Sequence, residues 1–329
     1  MRILFTGGSS FTGYWFIKEL AAAGHDITAI FTGAPEGYEG LRRERVDRAS
    51  ALCRPVYGCS FGDETFLGLI ESGRSWDLLC HHAARVANYK SPDFDVAGAL
   101  AENTRNLRQT LTLLKARGCR GVLLTGSVFE QGEGAGSEDL RAFSPYGLSK
   151  GLTAEVFKYY TREAGLPLGK FVIPNPFGPY EEPRFTTYLI DTWYAGKVAE
   201  VSTPDYVRDN IHVSLLAKCY GAFASELTGL ELTGLVEGFS RRGPMGYAES
   251  QGAFARRFAS KMRTRLDLPC ELKFAVQTEF PEPAVRTNTD LPDIARLGWG
   301  EEDAWQDVAE YYRGRHSTTP AARMQPKSP

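Results

Sequence analysis

Short apolar runs bounded by glycine and polar turns recur along the first half of the chain. Longer stretches with helical spacing separate them. Residues 2–6 (RILFT) read as a short buried strand, and 7–13 as a tight glycine-rich turn. Residues 14–23 (YWFIKELAAA) read as a helix stopped at Gly24, and 26–32 as a second strand. The pattern predicts further strands near 53–57, 78–80, 121–125 and 168–173, with helices near 64–72, 96–117 and 147–164. Leu107, Leu111 and Leu114 recur at helical spacing and mark a core-facing stripe. Strands alternating with helices predict parallel βαβ units, hence an α/β fold with a Rossmann-type doubly wound sheet.

After residue 175 the texture changes. Pro174, Pro176, Pro179 and Pro183 cluster, irregular segments follow, and a mixed helix is predicted near 247–264. Phe254, Phe258 and Met262 give that helix an apolar face; Arg256, Arg257, Lys261, Arg263 and Arg265 read as its solvated face. The expected division is a nucleotide-binding domain over 1–174, to which 206–230 returns. A smaller, interleaved substrate-binding lobe follows over 175–205 and 231–313, and 314–329 is an aperiodic, flexible tail.

Length and charge narrow the function. A chain of 329 residues suits about two domains. Lys plus Arg number 38 against 40 Asp plus Glu, a net charge of −2, so no basic excess points to a nucleic-acid partner. No apolar run approaches the length of a membrane span. MRILFTGG enters a strand and turn directly, unlike a signal peptide. The six cysteines (Cys53, Cys59, Cys80, Cys119, Cys219 and Cys270) show no CxxC pair and no zinc spacing. Reduced thiols, a cytoplasmic location and no metal site are expected.

The segment 6–13 (TGGSSFTG) lies between the first strand and the first helix. A pyrophosphate there requires close approach of backbone amides to a helix N-terminus, so small residues belong in the turn. Gly7, Ser9, Ser10, Phe11, Thr12 and Gly13 are the candidate contacts. The spacing fits T-G-x-x-G-x-x-G, except that Ser10 stands where the middle glycine is expected and crowds the approach. An NAD site usually carries Asp or Glu at the end of the second strand. Here the strand ends Ile30-Phe31-Thr32-Gly33, with no acid, and Arg42 and Arg43 follow. Thr32 and these cations favour NADP over NAD, because they suit a 2′-phosphate.

Tyr146 and Lys150 are four residues apart and share one helix face. An ammonium beside a phenol favours phenolate and lets the tyrosine exchange a proton with a carbinol. Tyr14 and Lys18 repeat the spacing as ordinary helix residues. What separates the two pairs is the strand 121–127 (GVLLTGS) upstream of Tyr146. Its hydroxyls Thr125 and Ser127 end at the sheet edge where ligands bind.

Together these features resemble the extended short-chain dehydrogenases/reductases, specifically the nucleotide-sugar branch called the NAD-dependent epimerase/dehydratase family. The resemblance spans about residues 1–300. His81-His82-Ala83-Ala84 is similar to the family's H-x-A-A, and Asn103 to the asparagine of the following helix. Segment 174–179 (PNPFGP) resembles N-x-[YF]-G-P, segment 206–213 (YVRDNIHV) resembles R-D-[FY]-I-H-V, and 297–299 (LGW) matches the C-terminal L-G-W. The resemblance implies that Tyr146 is the acid/base and that Lys150 also holds the nicotinamide ribose. Thr125 is the catalytic hydroxyl, with Ser127 as the alternative. Cys59 and Ser60 replace the usual Asp-x pair near the adenine. Ala83, Ala84, Asn103 and Pro174 line the cofactor, while Arg85, Asn175 and Arg208 meet a nucleotide-diphosphate sugar. A homodimer through the two long helices is also implied.

Dehydratases of the family place Asp-Glu directly after the catalytic threonine. Gly126 and Ser127 follow Thr125 here, leaving Glu130 to act only from an unusual position. The resemblance therefore points to a 4-keto-sugar reductase, alternatively an epimerase that keeps its NAD(P) bound, and less to a dehydratase.

Overall fold

The computed structural model describes residues 1–72, 74–229 and 238–318. The first half alternates strand and helix. β1 (Arg2–Thr6), α1 (Phe11–Ala22), β2 (Asp26–Phe31), α2 (Gly40–Ser50), β3 (Arg54–Tyr57), α3 (Glu64–Glu71) and β4 (Leu78–His81) come first. α4 (Val96–Asn103), α5 (Leu107–Ala116), β5 (Gly121–Ser127), β6 (Ala135–Gly136), α6 (Pro145–Glu163) and β7 (Leu168–Ile173) follow. The second half comprises β8 (Asn175–Phe177), α7 (Phe185–Tyr194), β9 (Ala199–Val201), β10 (Val207–His212) and α8 (Val213–Gly229), then β11 (Phe239–Arg242) and β12 (Tyr247–Ser250). It closes with α9 (Gln251–Leu266), β13 (Leu272–Phe274), β14 (Val285–Thr287), α10 (Ile294–Leu297) and α11 (Glu301–Thr318).

Seven parallel strands form the main sheet in the order β11-β7-β5-β4-β1-β2-β3. Both faces are covered, so β1, β2, β4, β5 and β7 are buried at nearly every position. Ile3, Phe5, Cys80 and Leu123 point into one core with Phe16 of α1 and Tyr220 and Phe223 of α8. Leu4, Leu79, Val122 and Leu124 point the other way, against Phe66, Leu111, Leu114 and Phe157 of α3, α5 and α6. The strand order turns back between β1 and β4, and the carboxyl ends there open a crevice at the switch point.

The second half builds a smaller sheet, β12-β10-β14-β6, with β8 paired to β10, and a β13–β9 pair. α7, α9 and α11 enclose a third core around Phe177, Trp193, Phe254, Phe258 and Trp305.

Five features differ from expectation. The helix near 96–117 is two helices, because Asn106 adopts φ +49° and spends its amide on the Gly62 carbonyl at 2.8 Å. The helix near 247–264 starts later, after β12, where the Ser250 hydroxyl accepts the Ala253 amide. The return to the first lobe begins at α8, since β10 belongs to the smaller sheet; β11, assigned to the substrate lobe, instead extends the main sheet beside β7. Residues 314–318 continue α11, while the rest of the expected tail (319–329) and part of the expected lobe (231–237) lie outside the described residues.

Candidate functional site

The glycine turn is shaped by two positions that admit no side chain. Gly7 has φ +83°, and a Cβ there would come within 2.8 Å of the Ala83 amide nitrogen. A Cβ on Gly13 would overlap the Gly7 carbonyl oxygen. Ser10 does not crowd the approach. Its side chain folds inward, accepting the Gly13 amide at 3.1 Å as the N-cap of α1 and donating to the Gly7 carbonyl at 2.9 Å. The turn therefore keeps a cradle that fits a pyrophosphate, with Phe11 and Thr12 opening the helix behind it.

Beside this cradle, Arg42 donates to the Ser9 hydroxyl through Nε (3.2 Å) and Nη2 (2.9 Å) and lies over the Tyr38 ring. It forms no ion pair among the described residues. Arg43 is turned away, bound to Asp47 at 2.7 Å and to the Pro35 carbonyl. The pattern gave no reason to single out Arg45. Burial and Glu182 hold it, and it donates to the Ser9 carbonyl at 3.1 Å, bracing the turn from behind. Thr32 is exposed at the end of β2. Cys59 is a correction: its side chain is wholly buried among apolar residues, with the thiol pushed up to about 12 by burial and then by Asp63. Only its neighbour Ser60 remains at the rim, its amide tied to Asp63.

At the end of β4, the Thr6 hydroxyl receives the amides of His82 and Ala83 at 3.1 and 3.0 Å. Asn103 accepts the Arg85 amide at 2.9 Å and donates to Thr153 of α6, so it ties the segment after Ala83 and Ala84 to the helix bearing Tyr146. Arg85 itself is engaged by Asp95 and Glu102, not aimed at the crevice.

α6 begins with Ser144 as N-cap and Pro145 in its first turn. A Cβ on Gly147 would overlap the Phe129 carbonyl, so this glycine seats the helix start against the loop after β5. Tyr146 packs edge-on against Tyr89 and Phe94 at ring distances of 5.6 and 5.8 Å. Burial, then Glu130 and Tyr89, push its phenol up to about 12. Lys150 is buried, donates to the Thr125 carbonyl at 2.6 Å, and is lowered to about 8 by burial. The Thr125 hydroxyl meets His82 Nδ1 at 3.0 Å. Ser127 is committed to the turn, its hydroxyl accepting the Phe129 amide. Glu130 is wholly buried, accepts the Ser127 amide and pairs with Lys170 at 2.6 Å; Lys170 also holds Glu133 at 2.7 Å.

A cavity of about 220 Å³ is lined in part by Asn175, Glu181, Arg184, Asn210 and Gln251. Glu181 Oε2 and Asn210 Nδ2 are buried without a partner, two polar atoms that sequence spacing did not reveal. Pro174 directly precedes Asn175 at this wall. Arg208 differs from the open phosphate clamp expected. Its guanidinium donates to the carbonyls of Val207 and Pro283 and pairs with Glu282 at 3.1 Å. Arg286, also missed, shares the Phe143 ring with it and is buried in the carbonyls of Val128, Glu130, Glu133 and Arg141.

The second Tyr–Lys pair is packing: Tyr14 stands edge-on to Trp15 and Tyr180, and Lys18 lies over Trp15. All six cysteines are free. Among the described residues no cluster suited to a metal ion occurs, and no helix is long and apolar enough to cross a membrane.

The model of the NAD dependent epimerase/dehydratase family matches residues 3–229. Solved structures share the fold. The UDP-glucose 4-epimerase of Thermotoga maritima, with UDP-glucose, is 17% identical at TM-score 0.68, covering 96% of this chain and 100% of that one. The UDP-glucuronic acid 4-epimerase of Bacillus cereus, with UDP-glucuronic acid and NAD, is 18% identical at TM-score 0.69 over the same shares. The dTDP-glucose 4,6-dehydratase DesIV of Streptomyces venezuelae, with NAD bound, is 20% identical at TM-score 0.68, covering 96% and 98%. Among curated proteins no match was found.

Proposed function

Because the chain belongs to the NAD-dependent epimerase/dehydratase family, we propose that it is an NADP-dependent reductase of a nucleotide-diphosphate-linked 4-keto sugar. The observation that carries this reading is Arg42, a guanidinium without an ion pair among the described residues, laid on Ser9 at the cofactor turn, with no acid at the end of β2. A 2′-phosphate is a fitting partner for that cation, and NADPH suits net reduction. Bound, the cofactor supplies the hydride. The chain's own part is to place and protonate the carbonyl. Tyr146, held as a phenol, donates its proton to the carbonyl oxygen; Lys150, one turn along the same helix, has its ammonium fixed on the Thr125 carbonyl. Water elimination is disfavoured, since Gly126 and Ser127 replace the acid and base, and Glu130 is neutralised by Lys170.

The test mixes pure protein, NADPH and a panel of nucleotide-linked 4-keto sugars, and follows absorbance of the reduced cofactor. Stoichiometric loss is expected. Product isomers without loss, with cofactor that co-purifies, would instead establish an epimerase. Tyr146→Phe should remove turnover while leaving NADPH affinity within about two-fold.

A further inference from the structure

His82 occupies the variable position of the H-x-A-A segment, yet its ring is bonded at both ends. Nε2 lies 3.0 Å from the Ser10 hydroxyl and 3.1 Å from that of Thr12; Nδ1 lies 3.0 Å from that of Thr125. One side chain thus spans the cofactor turn and the end of β5, packed against Phe5 and Phe16.

Counting hydrogens fixes the direction of these bonds. The Gly7 carbonyl can only accept, so its 2.9 Å contact consumes the single hydroxyl hydrogen of Ser10. Toward His82, Ser10 is therefore an acceptor; a bare Nε2 taking the Thr12 hydrogen would set two acceptors 3.0 Å apart, whereas Nε2–H satisfies the Ser10 contact, with Thr12 a second acceptor at 3.1 Å. Burial and the nearby Lys150 keep the ring neutral, pushing it down to about 3, so Nδ1 is bare. The Thr125 hydroxyl must then donate to Nδ1.

We infer that His82 is a positioning residue: held as the Nε2–H tautomer by the cofactor turn, it takes the Thr125 hydroxyl hydrogen and leaves Thr125 a hydrogen-bond acceptor toward the substrate. Its catalytic consequence rests on the reduction proposed above. Thr125 receives the hydrogen of the newly formed carbinol and does not donate to the ketone, so proton donation to the ketone falls to Tyr146. The ring also couples the threonine's orientation to the seating of Ser10 and Thr12.

The test uses full-length protein with ¹⁵N-labelled histidine at pH 7 and no added ligand. His82 is assigned by the signals lost in His82→Leu. A single Nε2–H tautomer is expected, whose Nδ1 resonance moves when Thr125→Val removes its donor. An Nδ1–H tautomer, a charged ring, or an Nδ1 signal indifferent to Thr125→Val overturns the inference, whatever the activity. With NADPH and a 4-keto substrate, His82→Leu should lower kcat about ten-fold, with KM changed about two-fold or less. His82→Gln, which retains a donor and an acceptor, should stay within about three-fold of wild type. Equal losses in the two variants would leave His82 a packing residue. If even the wild type reduces no sugar, the proposed function fails while the tautomer result stands alone.

Discussion

The Lys150 ammonium donates a 2.6 Å hydrogen bond to the carbonyl oxygen of Thr125, fastening the helix of Tyr146 to the strand end of the threonine. Burial lowers this lysine to about 8, so its charge is lost within an accessible range. NADPH affinity should therefore fall as pH rises through about 8. Lys150→Met should bind about ten-fold more weakly at pH 7 and show no such decline. Fluorescence titration of NADPH between pH 6.5 and 9.5 checks this, and a flat wild-type profile would contradict it.

Arg42 and Arg43 are adjacent in sequence but differently committed, the first to Ser9 and the second to Asp47. Arg42→Ala should weaken NADPH binding by about ten-fold or more and leave NADH within about three-fold. Arg43→Ala should change neither by more than about two-fold, since its exposed i,i+4 pair contributes little. Calorimetric titration of both dinucleotides against both variants is decisive.

That contrast shows what the chain made legible. Strand and helix order followed from apolar runs and glycine punctuation. Gly7 and Gly13 could be read because backbone overlap forbids any side chain there. Which of two neighbouring arginines faces the turn depends on competing partners such as Asp47, which spacing does not reveal. Cys59 and Arg208 misled for the same reason: a motif gives a residue's place in the chain, while its side chain goes to the core or to carbonyls brought near by distant segments. β11 escaped because its four residues, FSRR, carry no apolar run, and pairing with β7 alone makes them a strand. Glu181 and Asn210 acquire meaning only once the cavity exists.

Lys170 holds Glu130 and Glu133 at 2.6 and 2.7 Å, all three in the interior. Lys170→Met removes the cation and strands two buried carboxylates: Glu133 keeps a cation, Arg241, while Glu130 keeps only the Ser127 amide. A loss of about 3–5 kcal/mol is expected by urea unfolding. Adding Glu130→Gln should restore part of it, because the amide removes the unpaired charge. A double variant no more stable than the single would show that packing, not charge, sets the cost.

Glu181 illustrates the opposite case, a buried carboxyl with no cation bonded to it. Thr186, Thr187 and Tyr312 donate to Oε1, whereas Oε2 is buried and unpaired. Burial raises the group to about 7, against the pull of those hydroxyls. With the folded value above the unfolded one, the native state binds more protons than the unfolded chain between the ordinary glutamate range and about 7. This group's stabilising contribution is therefore complete in acid and is lost as pH rises across that window. The loss amounts to at most about 3 kcal/mol. Glu181→Gln cannot titrate, so its stability relative to wild type should climb between pH 5 and 8, measured by urea unfolding at each pH. A constant difference between the two proteins would mean that Glu181 is ionised throughout, its Oε2 satisfied by solvent in the cavity.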